Sequence, residues 1–237
     1  GDPDASDLRA RGLGARASGE WRAAGGSRWR YWADVAQLRG HEDVTGFSTA
    51  TSGAVTAGAS TARRVRGHAI DLGSSFAWSV PLRPSISLGY ARGSGGERSA
   101  TRDANFRQTG LHENKARLAG VKRLRRYGEL LQPELSNLGV ATLGTGIRLL
   151  GNSSVELVLH RYRQVLPSTT LRDARLSVAP LGLDRRLGRE LDLFIALREW
   201  RWLELTLALS RFTPGPAFAA DRRDAAHAVE LGAAINF

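Results

Sequence analysis

Three arginines recur at short spacing near the middle of the chain and form its most conspicuous chemical pattern. Read as a β-strand, residues 117–128 place Arg117, Arg123 and Arg125 on one face, with Leu118 and Leu124 on the other. A guanidinium is permanently charged and binds a carboxylate through two parallel hydrogen bonds. The spacing therefore predicts a ladder of sites for a polymer that carries one carboxylate on each unit.

Further polar residues share the inward face when the neighbouring segments are read as strands. The acids among them can pair with the arginines and weaken each site, which favours many modest sites over one deep one. The alternative is that arginines and acids only neutralise one another across strands. The candidate pore-lining residues that accompany the three arginines are Tyr127, Glu129, Glu156, His160, Asp192 and Arg198.

Catalytic and metal chemistry finds little support in the sequence. The chain has no cysteine, and its five histidines lack metal-ligand spacing and a neighbouring nucleophile motif. Ser154 and His160 share a parity, but they lie too far apart along one strand to meet. The sequence predicts no enzyme activity, no metal site and no cofactor.

The elements that would position these residues are strands with strict alternation. Segments such as 69–80, 153–164 and 201–212 place large apolar residues on one face and small or polar residues on the other. The same period runs to the final residue, Phe237. A soluble sandwich would bury its large residues against a second sheet. Strands with large apolar residues on one face and small polar residues on the other instead favour a wide lumen. We predict an all-β fold, an antiparallel transmembrane β-barrel of the outer-membrane type.

Composition is compatible with this prediction. The 237 residues contain no linker and indicate a single domain over 1–237, and no run of about 18 apolar residues predicts a membrane helix. A net charge of +11 favours a polyanionic partner. Nucleic acid is disfavoured because alternating leucines would leave an uncovered apolar face in water. Methionine is absent, even at position 1, which predicts that a leading segment has been removed.

Aromatic residues and connection lengths fit a membrane barrel as well. Tryptophans and tyrosines lie near strand ends, where aromatic girdles belong, and short turns alternate with long polar connections. Aromatics on both parities within 28–44 predict a bulge near Trp32. Counting strands at 117–128 and through Asn105 to Leu111, we expect about ten or eleven strands.

Several segments resemble the alginate export family of outer-membrane channels. They are FRQTGLHENKARLAGVKRLRRYGELLQPELSNL from Phe106, VELVLHRYRQ from Val155, LGRELDL from Leu187 and RFTPGPAF from Arg211. The resemblance implies a barrel of about eighteen strands in the outer membrane of a Gram-negative bacterium, with a basic lumen that passes an anionic exopolysaccharide outward. Because the chain is about half the length that the family implies, we expect it to be the carboxyl-terminal part of such a barrel.

The predicted function is therefore export of an alginate-like polyuronate through an arginine-lined lumen. A general anion-diffusion porin and a soluble basic β-sandwich that binds a polyanion remain the alternatives. The expected partners are the anionic polysaccharide, outer-membrane lipid and lipopolysaccharide, and periplasmic proteins of a secretion complex. For Arg126, Arg161 and Arg163 we favour pairing within the wall or contact with lipopolysaccharide phosphates at the rim.

Overall fold

A single antiparallel sheet dominates the computed structural model, which describes residues 6–96, 99, 101–108, 115–176 and 178–235. Three strands of two residues and one helical turn, Ala220–Arg222, complete the described elements. The strands, in chain order, are β1 Ser6–Arg22, β2 Arg28–Thr49, β3 Val55–Ala77, β4 Ser85–Gly93, β5 Arg102–Asp103, β6 Lys115–Ala116, β7 Leu124–Arg125, β8 Leu138–Leu149, β9 Ser153–Gln164, β10 Arg186–Leu197, β11 Leu203–Pro214 and β12 Ala226–Ile235.

Nine long strands form a meander in which chain neighbours pair, except that β4 pairs directly with β8. Short connections at 23–27, 78–84, 150–152 and 198–202 join strands at one end of the sheet, here the turn end. The opposite end, here the loop end, carries the long connections 94–137, 165–185 and 215–225. The polar segment 44–63 reads as one of the long connections in the sequence, but β2 continues to Thr49 and β3 begins at Val55, so that only 50–54 connect them.

The two faces of the sheet differ as the alternation predicts. On β9, Leu157 and Leu159 are exposed on the outer face, whereas Glu156, Val158 and His160 are buried on the inner face. The alternation continues along β10 and the second half of β11, where outer leucines are exposed or partly buried and their inner neighbours are buried. No second sheet of comparable size covers the outer face within the described residues. The antiparallel all-β prediction is confirmed, and the uncovered apolar face argues against the soluble sandwich.

The predicted strand at 117–128 is wrong. Only Lys115–Ala116 and Leu124–Arg125 are extended, and they pair with each other in a separate two-stranded sheet. Leu118 and Leu124, expected to face lipid, are buried against the inner face of the large sheet. Residues 115–137, here the inner segment, lie against that face because its middle carries apolar side chains that a leucine can cover.

The predicted bulge near Trp32 is also wrong. Pairing of β2 with both neighbours continues through Trp32 without a shift, and the one irregularity between β2 and β3 lies between Thr45 and Phe47. Trp32 points inward and lies over Gly73 of β3, where a β-carbon would overlap the indole ring. A glycine on the neighbouring strand therefore provides the space for this side chain, and the backbone of β2 stays regular.

The large sheet has ten strands when the two-residue β5, which pairs with β3, is counted, close to the expected ten or eleven and short of eighteen, but it lacks two of the strands that were predicted. Residues 105–108 form no strand, and residues 109–111 and Phe237 lie outside the described part of the chain. Within the described residues β1 and β12 each pair on one side only, so the sheet is not closed. Among those same residues, no helix is both long and apolar enough to cross a bilayer.

Candidate functional site

The inner segment covers the middle of the inner face through two apolar clusters. In one, Leu118 and Leu124 pack with Val158, Phe194 and Ala208 of the large sheet, here called the wall. In the other, nearer the loop end, side chains of residues 127–135 pack with inward residues of β8 to β11. Each fully buried leucine contributes about 1.5–3 kcal/mol through removal from water. Buried side chains of the inner segment thus form a hydrophobic core with the wall, as they would in a packed structural element.

Two buried acids of the wall hold the backbone of the inner segment. Glu156 accepts hydrogen bonds from the N–H groups of Gly120, at 2.8 Å, and Ala119, at 3.4 Å. Glu190 accepts from the N–H groups of Leu130, at 2.6 Å, and Leu131, at 2.9 Å. The sequence suggested that Glu156 weakens an arginine site, but Glu156 and Glu190 both bind main-chain donors of the inner segment. Sequence spacing gave no sign of this pairing, which joins residues about 36 to 60 positions apart.

Asp71 organises a second polar centre between the wall and the inner segment. Its carboxylate accepts hydrogen bonds from Trp32 Nε1 at 2.8 Å, from Arg126 Nη1 at 3.1 Å and from the Tyr127 hydroxyl at 2.9 Å. Arg126 also donates to Asp34 at 3.2 Å, and its guanidinium lies 5.0 Å from the centre of the Trp32 ring. Burial, reinforced by the charge of Asp71, raises the pKa of Tyr127 well above its usual value, so Tyr127 remains a hydrogen-bond donor.

Arg117, Arg123, Arg125 and Glu129, all on the inner segment, are the more accessible of the predicted pore-lining residues. Arg117 and Arg123 are exposed, and Arg123 Nη2 donates to the carbonyl of Lys115 at 3.2 Å. Arg125 is 41% exposed and lies 3.4 Å from a carboxylate oxygen of Glu129. The three arginines do not stack along a strand, because residues 117–123 follow an irregular path.

The other predicted residues, Tyr127, Glu156, His160, Asp192 and Arg198, are more deeply placed. The first four are buried, and His160 Nδ1 lies 2.9 Å from the hydroxyl of Thr142. Asp192 is fully buried 3.6 Å from His160 Nε2. Arg198 is half-buried, forms an ion pair with Glu204 and donates to the carbonyl of Val121 at 2.9 Å. Their contacts join the wall to the inner segment or to neighbouring strands, and their part in binding a substrate stays a prediction.

A cluster of arginines at the turn end was missed by the sequence reasoning. Arg28, Arg30, Arg83 and Arg148 line a cleft of about 250 Å³ between the wall and the inner segment. Glu20 pairs with two of them, lying 2.7 Å from Arg30 and 3.5 Å from Arg28. Within the described chain no ion pair involves Arg83 or Arg148. An unbroken period-2 reading of β2, without the bulge, would have placed Arg28 and Arg30 on the inner face.

A larger cleft, of about 600 Å³, lies between β1 to β3 and the inner segment. Its charged lining includes Arg16, Arg123 and Arg126, together with Asp34 and Asp71. Arg16 binds both carboxylate oxygens of Asp34, at 2.6 and 2.8 Å. The exposed guanidinium of Arg123 is therefore the cation of this trio that has no carboxylate partner among the described residues.

A carboxyl pair joins the inner segment to the connection 165–185. Glu134 lies beside Asp173, and one carboxylate oxygen of Glu134 is buried without a hydrogen-bond donor among the described residues. Burial and the adjacent Asp173 together raise the pKa of Glu134 to about 7, although Arg172 acts in the opposite direction. No group of three or more His, Asp or Glu side chains suited to a metal occurs in the described part of the chain.

Comparison with known proteins gives one family and several relatives. The family model described as "Alginate export" matches residues 2–231. The alginate production protein AlgE of Pseudomonas aeruginosa is 31% identical over 166 residues, which are 70% of this chain and 33% of that protein. The AlgE protein of Azotobacter vinelandii is 31% identical over 137 residues, 54% of this chain and 27% of that protein. The AlgE protein of Pseudomonas syringae is 26% identical over 181 residues, which are 70% of this chain and 34% of that protein. The chain spans about a third of the length of these relatives.

Proposed function

The chain belongs to the alginate export family, and on this premise we propose that it forms part of the wall of a channel that exports an alginate-like polyuronate. Its location is the outer membrane, in agreement with the all-β fold and the uncovered apolar face of the sheet. Transport of an anionic polymer requires cations along the path and no tight site that would stall it.

The arginine-lined clefts on the inner face support this proposal. The open surfaces beside the inner segment carry Arg28, Arg30, Arg83 and Arg148 at the turn end and Arg123 farther along. Bidentate binding suits guanidinium to the carboxylate of a uronate unit. Glu20 lies close to Arg28 and Arg30, so a uronate bound to either of them competes with an internal acid and leaves readily. The polymer then exchanges from one modest site to the next.

The rest of the proposal concerns the assembly. Residues 1–237 act as one domain, and the nine long strands form one side of a closed barrel of about eighteen strands, in which β1 and β12 pair with further strands. The partners are the anionic polysaccharide, outer-membrane lipid and lipopolysaccharide, and proteins of a periplasmic secretion complex. The role is transport, without catalysis and without a cofactor.

Single-channel recording of the complete protein in planar bilayers tests the proposal. Uronate oligomers added on the turn-end side should block the current of the wild-type channel. The double variant Arg30→Gln/Arg148→Gln should weaken block by about tenfold or more, since a hydrogen bond to a charged group contributes about 1.5–3 kcal/mol. The matched control Arg161→Gln/Arg163→Gln removes two exposed outer-face arginines and should leave block unchanged.

Two results would contradict the proposal. A wild-type channel whose current uronate oligomers leave unaffected, while small anions pass, is a general anion-diffusion porin. Equal block in the double variant and the control would show that the turn-end arginines do not contact the polymer.

A further inference from the structure

The outer face carries a row of arginines near the loop end. Seven of the nine long strands carry at least one exposed outer-face arginine, and one from each strand, flanked in sequence by residues of the inner face, belongs to this row. These residues, here the arginine belt, are Arg11 on β1, Arg39 on β2, Arg66 on β3, Arg92 on β4, Arg161 on β9, Arg189 on β10 and Arg211 on β11.

The belt places like charges directly opposite one another. Arg39 pairs in register with both Arg11 and Arg66, and Arg161 pairs with Arg189. Opposed residues on antiparallel strands have β-carbons about 4.5–5.5 Å apart, and like charges at that distance destabilise a sheet. Among the described residues none forms an ion pair with any belt arginine, and β3, β4 and β8 to β12 carry no acid on the outer face. The protein itself therefore leaves this repulsion uncompensated.

Between some neighbouring strands the belt arginines are shifted along the strand register, as residues at a membrane boundary would be. Arg92 pairs with Ile70, which lies four residues farther toward the turn end than Arg66, and Arg211 pairs with Leu191, two residues beyond Arg189. Barrel strands tilt by about 35–45°, so a line at one membrane depth shifts along the register from strand to strand. At both of these steps the belt shifts toward the turn end, the same direction each time, as a line at one depth would.

The two ends of the apolar outer face differ. On the turn-end side of the belt the large exposed outer residues are apolar or aromatic, with leucine the commonest, and at the turn end itself they include Trp21, Trp78 and Trp202. A shallow, wide-open groove lies on the outer face beside Arg161, lined by Tyr31, Leu72 and Leu88 among others. Its apolar lining with a guanidinium at one edge fits an acyl chain whose headgroup is anionic.

We propose that the arginine belt binds the phosphate groups of lipopolysaccharide, with an acyl chain in the groove beside Arg161. A headgroup with more than one phosphate can bridge guanidinium groups on adjacent strands and relieve their repulsion, which a single negative charge does less well. The inference rests on the outer-membrane location, and it orients the chain with the loop end in the leaflet that contains lipopolysaccharide. It does not involve the inner-face clefts.

Binding of the complete protein to vesicles tests the belt. The vesicles contain phosphatidylcholine alone, with lipopolysaccharide, or with phosphatidylglycerol at equal total charge. The triple variant Arg161→Gln/Arg189→Gln/Arg211→Gln should bind lipopolysaccharide vesicles about a hundredfold more weakly than wild type, because each arginine near an anionic surface contributes about one factor of five. The control Arg22→Gln/Arg201→Gln removes two exposed arginines at the turn end, outside both the belt and the inner-face clefts, and should bind as wild type does.

The outcomes separate the possibilities. Equal affinity of the belt variant and the control overturns the proposal, as does equal wild-type affinity for the lipopolysaccharide and phosphatidylglycerol vesicles. A variant with lysine at the three belt positions retains the charge, so its binding should exceed that of the glutamine variant even if the latter folds poorly. Block by uronate oligomers in the belt variant should match wild type, which keeps failure of this inference distinct from failure of the transport proposal.

Discussion

Replacing Glu190 by alanine should detach part of the inner segment from the wall. The buried carboxylate accepts the N–H groups of Leu130 and Leu131, at 2.6 and 2.9 Å, and the hydroxyl of Tyr162 at 3.1 Å. A hydrogen bond to a charged group contributes about 1.5–3 kcal/mol, and a buried donor left unpaired costs a similar amount. Because removal of the buried charge offsets part of this loss, we take the lower bound for two N–H donors, about 3 kcal/mol.

Hydrogen exchange of the backbone amides measures this loss directly. A cost of about 3 kcal/mol corresponds to exchange about a hundredfold faster at Leu130 and Leu131. The amide of Gly120, which Glu156 holds, serves as an internal reference and should change less. Glu230→Gln alters an exposed inner-face acid of β12 and should have no effect on these amides. Wild-type protection at both leucine amides in Glu190→Ala would refute the anchoring role.

Two further predictions concern the inner segment. Leu124→Ala should lower the free energy of unfolding by about 2–5 kcal/mol, as expected for a leucine cavity, when chemical denaturation is followed by tryptophan fluorescence; the exposed outer-face change Leu143→Ala should cost less than half as much. The raised pKa of Glu134, about 7 against an ordinary 4.5, means that the contact with Asp173 is strongest below about pH 4.5 and weakens as the pH rises through about 7. Glu134→Gln should therefore remove this pH dependence and stabilise the protein by about 1–2 kcal/mol at about pH 8, a value reduced from the full shift because Glu134 is only partly buried; a wild-type slope of stability against pH in this variant would contradict the assignment.

The outer face of the sheet could be predicted from sequence because the alternation of apolar and polar residues along a strand shows which side chains face outward, and it depends on that strand alone. Leu157 and Leu159 are exposed where the period places them. The inner segment could not be predicted in this way, because an apolar residue matches a lipid surface and a protein surface equally well. One sign was present: Val158 and Phe194 are large apolar residues on the face expected to be small and polar. Leu118 and Leu124 cover them.

The polar contacts of the site depend on residues that are distant in the sequence. Asp71 and Tyr127 are 56 positions apart, and no spacing rule relates them. The predicted bulge at Trp32 failed for a similar reason, since the space for the indole comes from Gly73 on the next strand. Residue type still identified arginine as the cation of the inner face. Register decided which arginines lie open and which are paired.

The main-chain anchoring of the inner segment has a consequence for how this protein can be altered. Glu156 and Glu190 bind N–H groups, which every residue except proline possesses, so they place no demand on most side chains of the inner segment. Gly120 and Gly128 are exceptions, because a β-carbon would overlap the Glu156 carboxylate at the first position and the Tyr162 hydroxyl and Glu190 carboxylate at the second. Exposed side chains such as those of Arg117 and Arg123 can therefore be replaced together while these main-chain hydrogen bonds are kept, so the main chain of the inner segment stays bound to the sheet. Such changes could alter the anion preference of a channel without altering the sheet.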